Sequence, residues 1–144
     1  MLIKDVLRDK GGEVITVHQS DNVAVAVKKL AERRIGAVIV EDLAMHPVGI
    51  FSERDLVNAL ARSGPRSYEY EVRELMTSPF ISTQPGERVD AALALMTTRR
   101  IRHLPVLDGG RLVGLVSIGD LVKHRLDEKE LEASVLLDIT RMRS

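Results

Sequence analysis

The chain writes one strand-to-helix junction twice. Residues 49–55 read GIFSERD, and sixty-five positions later residues 114–120 read GLVSIGD. Each is a glycine, two apolar residues, a serine, two variable residues and an aspartate, followed by an apolar pair, Leu56-Val57 or Leu121-Val122. The match extends upstream. Val23, Ala26, Val27 and Leu30 fall at i, i+3, i+4 and i+7, the stripe of an amphipathic helix, and Val89, Ala92, Leu93 and Met96 repeat it sixty-six positions on. A short β-rich stretch precedes each helix, at 14–17 and at 80–83, and a basic turn with an apolar strand follows, RRIGAVIV at 33–40 and RRIRHLPV at 99–106. The next strands are read at 48–51 and 112–116, the second after an Asp108-Gly109-Gly110 turn. The openings also match, IKDVL at 3–7 and VRELM at 72–76.

A repeat of this length governs the architecture. The boundaries read as repeat one at 1–62, a linker at 63–71 (SGPRSYEYE, broken by Gly64-Pro65), and repeat two at 72–126. Either copy alone buries too little apolar surface to stand by itself. The expected fold is therefore α/β (α+β): two tandem β-α-β-β-α repeats with pseudo-two-fold symmetry, their sheets packed over one core. A C-terminal helix is expected at 127–144, where Leu131, Val135, Ile139 and Met142 recur at spacings of four, four and three. Asp127 and Glu130 resemble a capping box at its start. Packing back on its own module, joining a dimer interface and docking a partner are all open to that helix.

Composition removes several classes of function. Lys plus Arg and Asp plus Glu balance at 21 each, so no global field attracts nucleic acid or an acidic membrane. Two Phe and two Tyr are too few for a set of base-stacking platforms, and nucleic acid is not an expected partner. No cysteine is present, and His18, His46 and His124 stand at no metal-ligand spacing, so no metal site is expected and these histidines read as surface or loop residues. The first residues lack the pattern of a secretory signal and no apolar run is long enough to span a bilayer, so no membrane association is expected and the default reading is cytoplasmic.

Ser-x-x-Asp at a helix start is chemically a capping box. The same place suits a phosphate, because free backbone N–H groups and the positive helix end point outward. Ser52 or Ser117 has a hydroxyl to donate to a phosphate oxygen, and Asp55 or Asp120 can accept two hydrogen bonds from a ribose diol. Gly49 and Gly114 would let a backbone or a flat ring approach closely, and Ile50-Phe51 or Leu115-Val116 would line a slot for a base. The cap and the nucleoside phosphate are both compatible with these residues.

The duplicated set, with RIRHLPV at 100–106 and GLVSIGDLV behind it, resembles the tandem CBS (cystathionine-β-synthase) domain pair of stand-alone bacterial type. The resemblance covers about residues 1–126. It implies a non-catalytic regulatory module that binds an adenine nucleotide (AMP, ADP, ATP or NAD(H), in some members S-adenosylmethionine) between its two repeats and dimerises. No obligatory cofactor is implied, and the protein target is unknown.

The resemblance also implies two ligand sites. In one, Asp120 takes the diol, Ser117 the phosphate side and Leu115 the base, with Arg102 and His103 facing the ligand from the preceding strand. In the other, Asp55, Ser52 and Ile50 take those roles beside Gly36 and Ala37. Thr16 and Thr83 are lesser contacts by the same likeness. Arg54, in the first helical turn, has the charge to reach a phosphate or to remain solvated. Arg102 makes the Asp120 site the expected tighter binder of a monophosphate. No nucleophile–base constellation or Walker loop is present, so the chain is not expected to be an enzyme. The rival reading is a structural or interaction domain whose pockets have lapsed.

Overall fold

The computed structural model describes residues 1–143. The chain runs α1 (Ile3–Lys10), β1 (Thr16–His18), α2 (Val23–Arg33), β2 (Ala37–Glu41), β3 (Pro47–Ser52) and α3 (Glu53–Ser63). After a 3₁₀ turn at Gly64–Glu69 come α4 (Val72–Leu75), α5 (Val89–Arg99), β4 (His103–Asp108), β5 (Arg111–Ser117) and α6 (Ile118–Arg143). The segment read as a linker is thus ordered, with Ser67 fully buried and its hydroxyl donating to Gly64 O at 2.7 Å.

One compact unit is Glu13–Ser82. Its sheet has the order β1-β2-β3, with β1 parallel and β3 antiparallel to β2. The stripe on α2 buries Val23, Ala26 and Leu30 against Val17, Val38, Val40 and Phe51, as the apolar periodicity requires. The other unit is Met1–Gly12 with Thr83–Ser144. In it Val89, Ala92 and Met96 of α5 are buried, as are Leu104, Val106 and Val116 of the β4–β5 hairpin and Leu121 of α6. Both hairpins shift register at the same place, Val40/Glu41 and Val106/Leu107. Arg34 and Arg100 close α2 and α5 in matching left-handed conformations.

The strand expected at 80–83 forms only as a bridge, Thr83 with Val106. Two prolines explain the loss. In the first unit, Ile39 N donates to Ile15 O and Gln19 N to Glu41 O on either side of β1. Aligned on the basic turns, those two donors are replaced by Pro105 and Pro85, which have no N–H. What survives is Thr83 N to Pro105 O and Leu107 N to Thr83 O, both at 2.9 Å.

The openings of the two sequence repeats are exchanged between the units. In α1, Ile3 and Val6 are buried and the first N–H groups donate to Pro85 O and Glu87 O, before α5. In α4, Val72 is buried, and Val72 N and Arg73 N donate to Asp21 O and Gln19 O, before α2. Each helix start thus satisfies its unpaired donors on the loop of the other sequence repeat.

The final helix does not begin at Asp127. It runs unbroken from Ile118, with Asp127 and Glu130 inside it. Its first turns pack on α1 and α5, but from Lys129 to Met142 every side chain is exposed, so the tail does not fold back on its own unit. Ser144 lies outside the described residues. Among the described residues no helix is long and apolar enough to cross a membrane.

Candidate ligand site

Each unit carries one copy of the serine–aspartate junction, and both copies are capping boxes. Ser52 N donates to Asp55 Oδ2 at 2.9 Å while Asp55 N donates to Ser52 Oγ at 3.3 Å. Ser117 N donates to Asp120 Oδ2 at 2.9 Å while Asp120 N donates to Ser117 Oγ at 3.1 Å. The reciprocal bonds satisfy two orphan donors at each helix start. They leave each carboxylate half-buried at the surface, with capacity for further donors.

The strand register brings the other expected residues beside these caps. Ala37 pairs with Ser52, and His103 with Ser117. One residue earlier, Gly36 O accepts from Glu53 N at 3.0 Å and Arg102 O from Ile118 N at 2.9 Å. Each preceding strand therefore starts against the helix that the aspartate caps. Arg102 is exposed and His103 half-buried, whereas Ala37 is fully buried. Arg54 is exposed in the first turn of α3. Thr16 lies on β1, with β2 between it and Ser52, and its carbonyl accepts from Lys29 Nζ at 2.8 Å. Thr83 is buried beside β4, at the place that Val17 rather than Thr16 holds beside β2.

The glycines answer to the exchanged openings instead of to a flat ring. A Cβ on Gly114 would lie 2.5 Å from Leu7 Cδ2, and one on Gly49 would lie 2.6 Å from Met76 Sδ and 3.0 Å from Thr77 O. Leu7 and Met76 occupy equivalent places in IKDVL and VRELM. Thr77 then bridges to Ile50 through both backbone groups, Ile50 N to Thr77 O at 3.1 Å and Thr77 N to Ile50 O at 2.8 Å. Ile50 is only 9% exposed there, while Leu115 is half-buried.

Two residues that the sequence reading did not single out meet the aspartates. Lys10, at the end of α1, donates to Asp120 Oδ2 and to Leu115 O, both at 2.7 Å. In the other unit Thr77 Oγ1 donates to Asp55 Oδ1 at 3.0 Å. Each follows one of the matched openings, IKDVL or VRELM, whose sequence carries no mark of which junction it will reach. His124 departs from its surface assignment as well. It is 8% exposed on α6, with Nδ1 3.7 Å from Asp9 Oδ2 on α1. Among the described residues no cluster of His, Cys, Asp and Glu is suited to a metal.

Burial raises the Asp120 pKa, but the Lys10 ammonium and the Ser117 N–H outweigh it and hold the carboxyl below its ordinary value. A carboxylate lowered on folding contributes stability above its unfolded pKa and loses it as pH falls through the folded value. The melting-temperature gap between wild type and Asp120→Asn should therefore be open at pH 6 and close below about pH 4. A gap unchanged at pH 2.5 would show that the charge of Asp120 does not matter to the fold.

The CBS-domain profile matches residues 3–62 and 72–127. The chain belongs to the CBS-domain family. This CBS pair is similar to solved structures along nearly their whole length. With a CBS-domain containing protein from Agrobacterium tumefaciens it shares 41% identity at a TM-score of 0.84, covering 86% of this chain and 92% of that one. The CBS domain pair of protein MJ0100, solved in complex with 5′-methylthioadenosine and S-adenosyl-L-methionine, is 28% identical at a TM-score of 0.79, over 89% of this chain and 98% of that one. A CBS domain protein from Pyrobaculum aerophilum complexed with AMP is 25% identical at a TM-score of 0.78, over 92% and 99%.

Proposed function

We propose that this CBS pair is a non-catalytic sensor of adenine nucleotides, with AMP, ADP, ATP and NAD(H) as the ligand class, that acts on a protein partner or on its own oligomeric state. The observation that carries the reading is the duplicated cap. Two half-buried aspartates each stand at a helix start beside a serine, and the related pairs named above hold AMP or S-adenosylmethionine and methylthioadenosine. Asp120 and Asp55 are the diol acceptors in this reading. Ser117 and Ser52 face the phosphate side, Arg102 and His103 assist at the first site, and Gly36 and Ala37 border the second. Signalling follows from linkage: a ligand favours one arrangement only by its differential affinity for it, and a partner that prefers that arrangement binds better in return.

The test is a thermal-shift panel of AMP, ADP, ATP, NAD⁺, NADH and S-adenosylmethionine. A ligand at a hundred times its dissociation constant stabilises by about 2.7 kcal/mol, so at least one adenylate should raise the melting temperature by several degrees. A flat panel would favour the lapsed-pocket reading. That reading has its own support, since Lys10 and Thr77 already satisfy the two aspartates.

The second part of the reading is a homodimer in which the α6 tail takes part. Leu131, Val135, Ile139 and Met142 are 66, 49, 42 and 86% exposed along one stripe of α6, and burying that apolar stripe against a second copy is favourable. The tail is acidic at 127–132 (DEKELE) and carries arginines at 141 and 143, so antiparallel pairing sets unlike charges together and parallel pairing opposes like ones. The chain has no cysteine, which makes cross-linking clean. Leu131→Cys and Met142→Cys chains should cross-link when mixed and not when alone. Efficient cross-linking of each variant with itself would refute the antiparallel pair.

A further inference from the structure

We propose that Lys10 makes the Asp120 half-site discriminate between phosphorylated and unphosphorylated adenosine ligands. The inference rests on the reading of Asp120 as the ribose acceptor. One ammonium bridges Asp120 Oδ2, the ribose acceptor in that reading, and the carbonyl of Leu115, the residue read against the base, each at 2.7 Å. A diol that binds Asp120 must displace this ammonium or share the carboxylate with it.

The helix behind Lys10 is fixed. Asp9, its neighbour, stands 3.7 Å from the buried His124 of α6, Leu7 packs against Gly114, and Val6 is buried. The lysine side chain is not fixed in that way. It is 35% exposed at the last residue of α1, and Gly11 and Gly12 follow with open space where a Cβ would stand. Displacement therefore takes only a swing of a flexible four-carbon stem and leaves the helix in place.

What the released ammonium finds next depends on the ligand. A nucleotide brings a phosphate on the ribose that has displaced the lysine, and a new charge-assisted bond replaces the old one. A nucleoside brings no anion, so the exchange costs an ion pair without return. At Asp55 the group in the way is the neutral hydroxyl of Thr77, 3.0 Å from Oδ1, and replacing it with a ribose hydroxyl changes no charge pairing. The two half-sites thus differ in what they ask of a ligand, although their capping boxes match.

The test is calorimetry with AMP and adenosine on an Asp55→Ala chain, which retains only the Asp120 half-site; Asp55→Asn serves if the alanine chain does not fold. Lys10→Met should tighten adenosine and weaken AMP by about 3-fold each, and so lower the AMP-to-adenosine affinity ratio about 10-fold, while Lys10→Arg should keep the ratio. An unchanged ratio with AMP binding intact overturns the role of Lys10 and leaves the nucleotide reading standing. Absence of AMP binding in the wild-type chain as well as in these variants overturns both.

Discussion

Replacing Asp120 by Ala should weaken AMP binding at its half-site by about 100-fold or more, because a carboxylate that accepts two hydroxyl donors loses both, and two net charged hydrogen bonds at the low end of about 1.5–3 kcal/mol each already make about 3 kcal/mol. The same change at Asp55 should weaken AMP less at its own half-site. The first site has the exposed residue Arg102 just before the strand beside the cap, where the second has Gly36. The freed Lys10 offsets a part of this deficit, because in Asp120→Ala a ligand no longer displaces the ammonium from the carboxylate. Each aspartate also completes a capping box, so both variants should lose about 1 kcal/mol of stability, and melting curves must accompany the titrations. Equal losses of AMP affinity in the two variants would remove the asymmetry between the sites. Unchanged affinity in both would remove the aspartates from the site altogether.

Gly49→Ala should destabilise the chain by about 1–3 kcal/mol, the usual cost of forcing an added carbon into a packed place. Its Cβ would meet Met76 Sδ at 2.6 Å and the carbonyl of Thr77 at 3.0 Å. That carbonyl cannot retreat without breaking its bond from Ile50 N. Gly114→Ala should cost less, because the three nearest atoms to its Cβ all belong to the flexible Leu7 side chain. Truncating the obstacle separates the two cases. Leu7→Ala should largely rescue Gly114→Ala in a double-mutant cycle, whereas Met76→Ala should rescue Gly49→Ala only in part. Equal and complete rescue at both positions would mean that the backbone of Thr77 yields, and that its bridge to Ile50 is weak.

Most of this fold is written in local pattern. The 3.6-residue stripes at Val23 and Val89 place α2 and α5, the apolar runs before α2 and after both helices mark the five strands, and Ser-x-x-Asp marks both junctions. These signals are strong because each depends on residues a few positions apart. The second short strand was misread because its β-rich composition says nothing about donors. Pro85 and Pro105 are visible in the sequence, but their effect becomes evident only when the parallel partner of residues 80–83 is known. The tail was misread at its start for a related reason. Asp127 and Glu130 have the spacing of a cap, yet nothing between Ile118 and Leu126 breaks a helix, so it continues through them.

By itself the sequence determined the duplicated architecture, the family, and the two Ser-x-x-Asp junctions proposed to hold a nucleotide. Tertiary structure alone decided which opening reaches which junction. The match between IKDVL and VRELM places each opening at the head of its own repeat, but α1 docks on β5 and the segment after α4 docks on β3. That exchange turns Gly49 and Gly114 from spaces for a ligand into seats for Met76 and Leu7. It also brings a hydroxyl to Asp55 and an ammonium to Asp120 across 22 and 110 residues of chain. Capping is a short-range bond between neighbours and can be read from spacing. The donor that meets the capped carboxylate arrives from far along the chain, and only the packed backbone determines what it is.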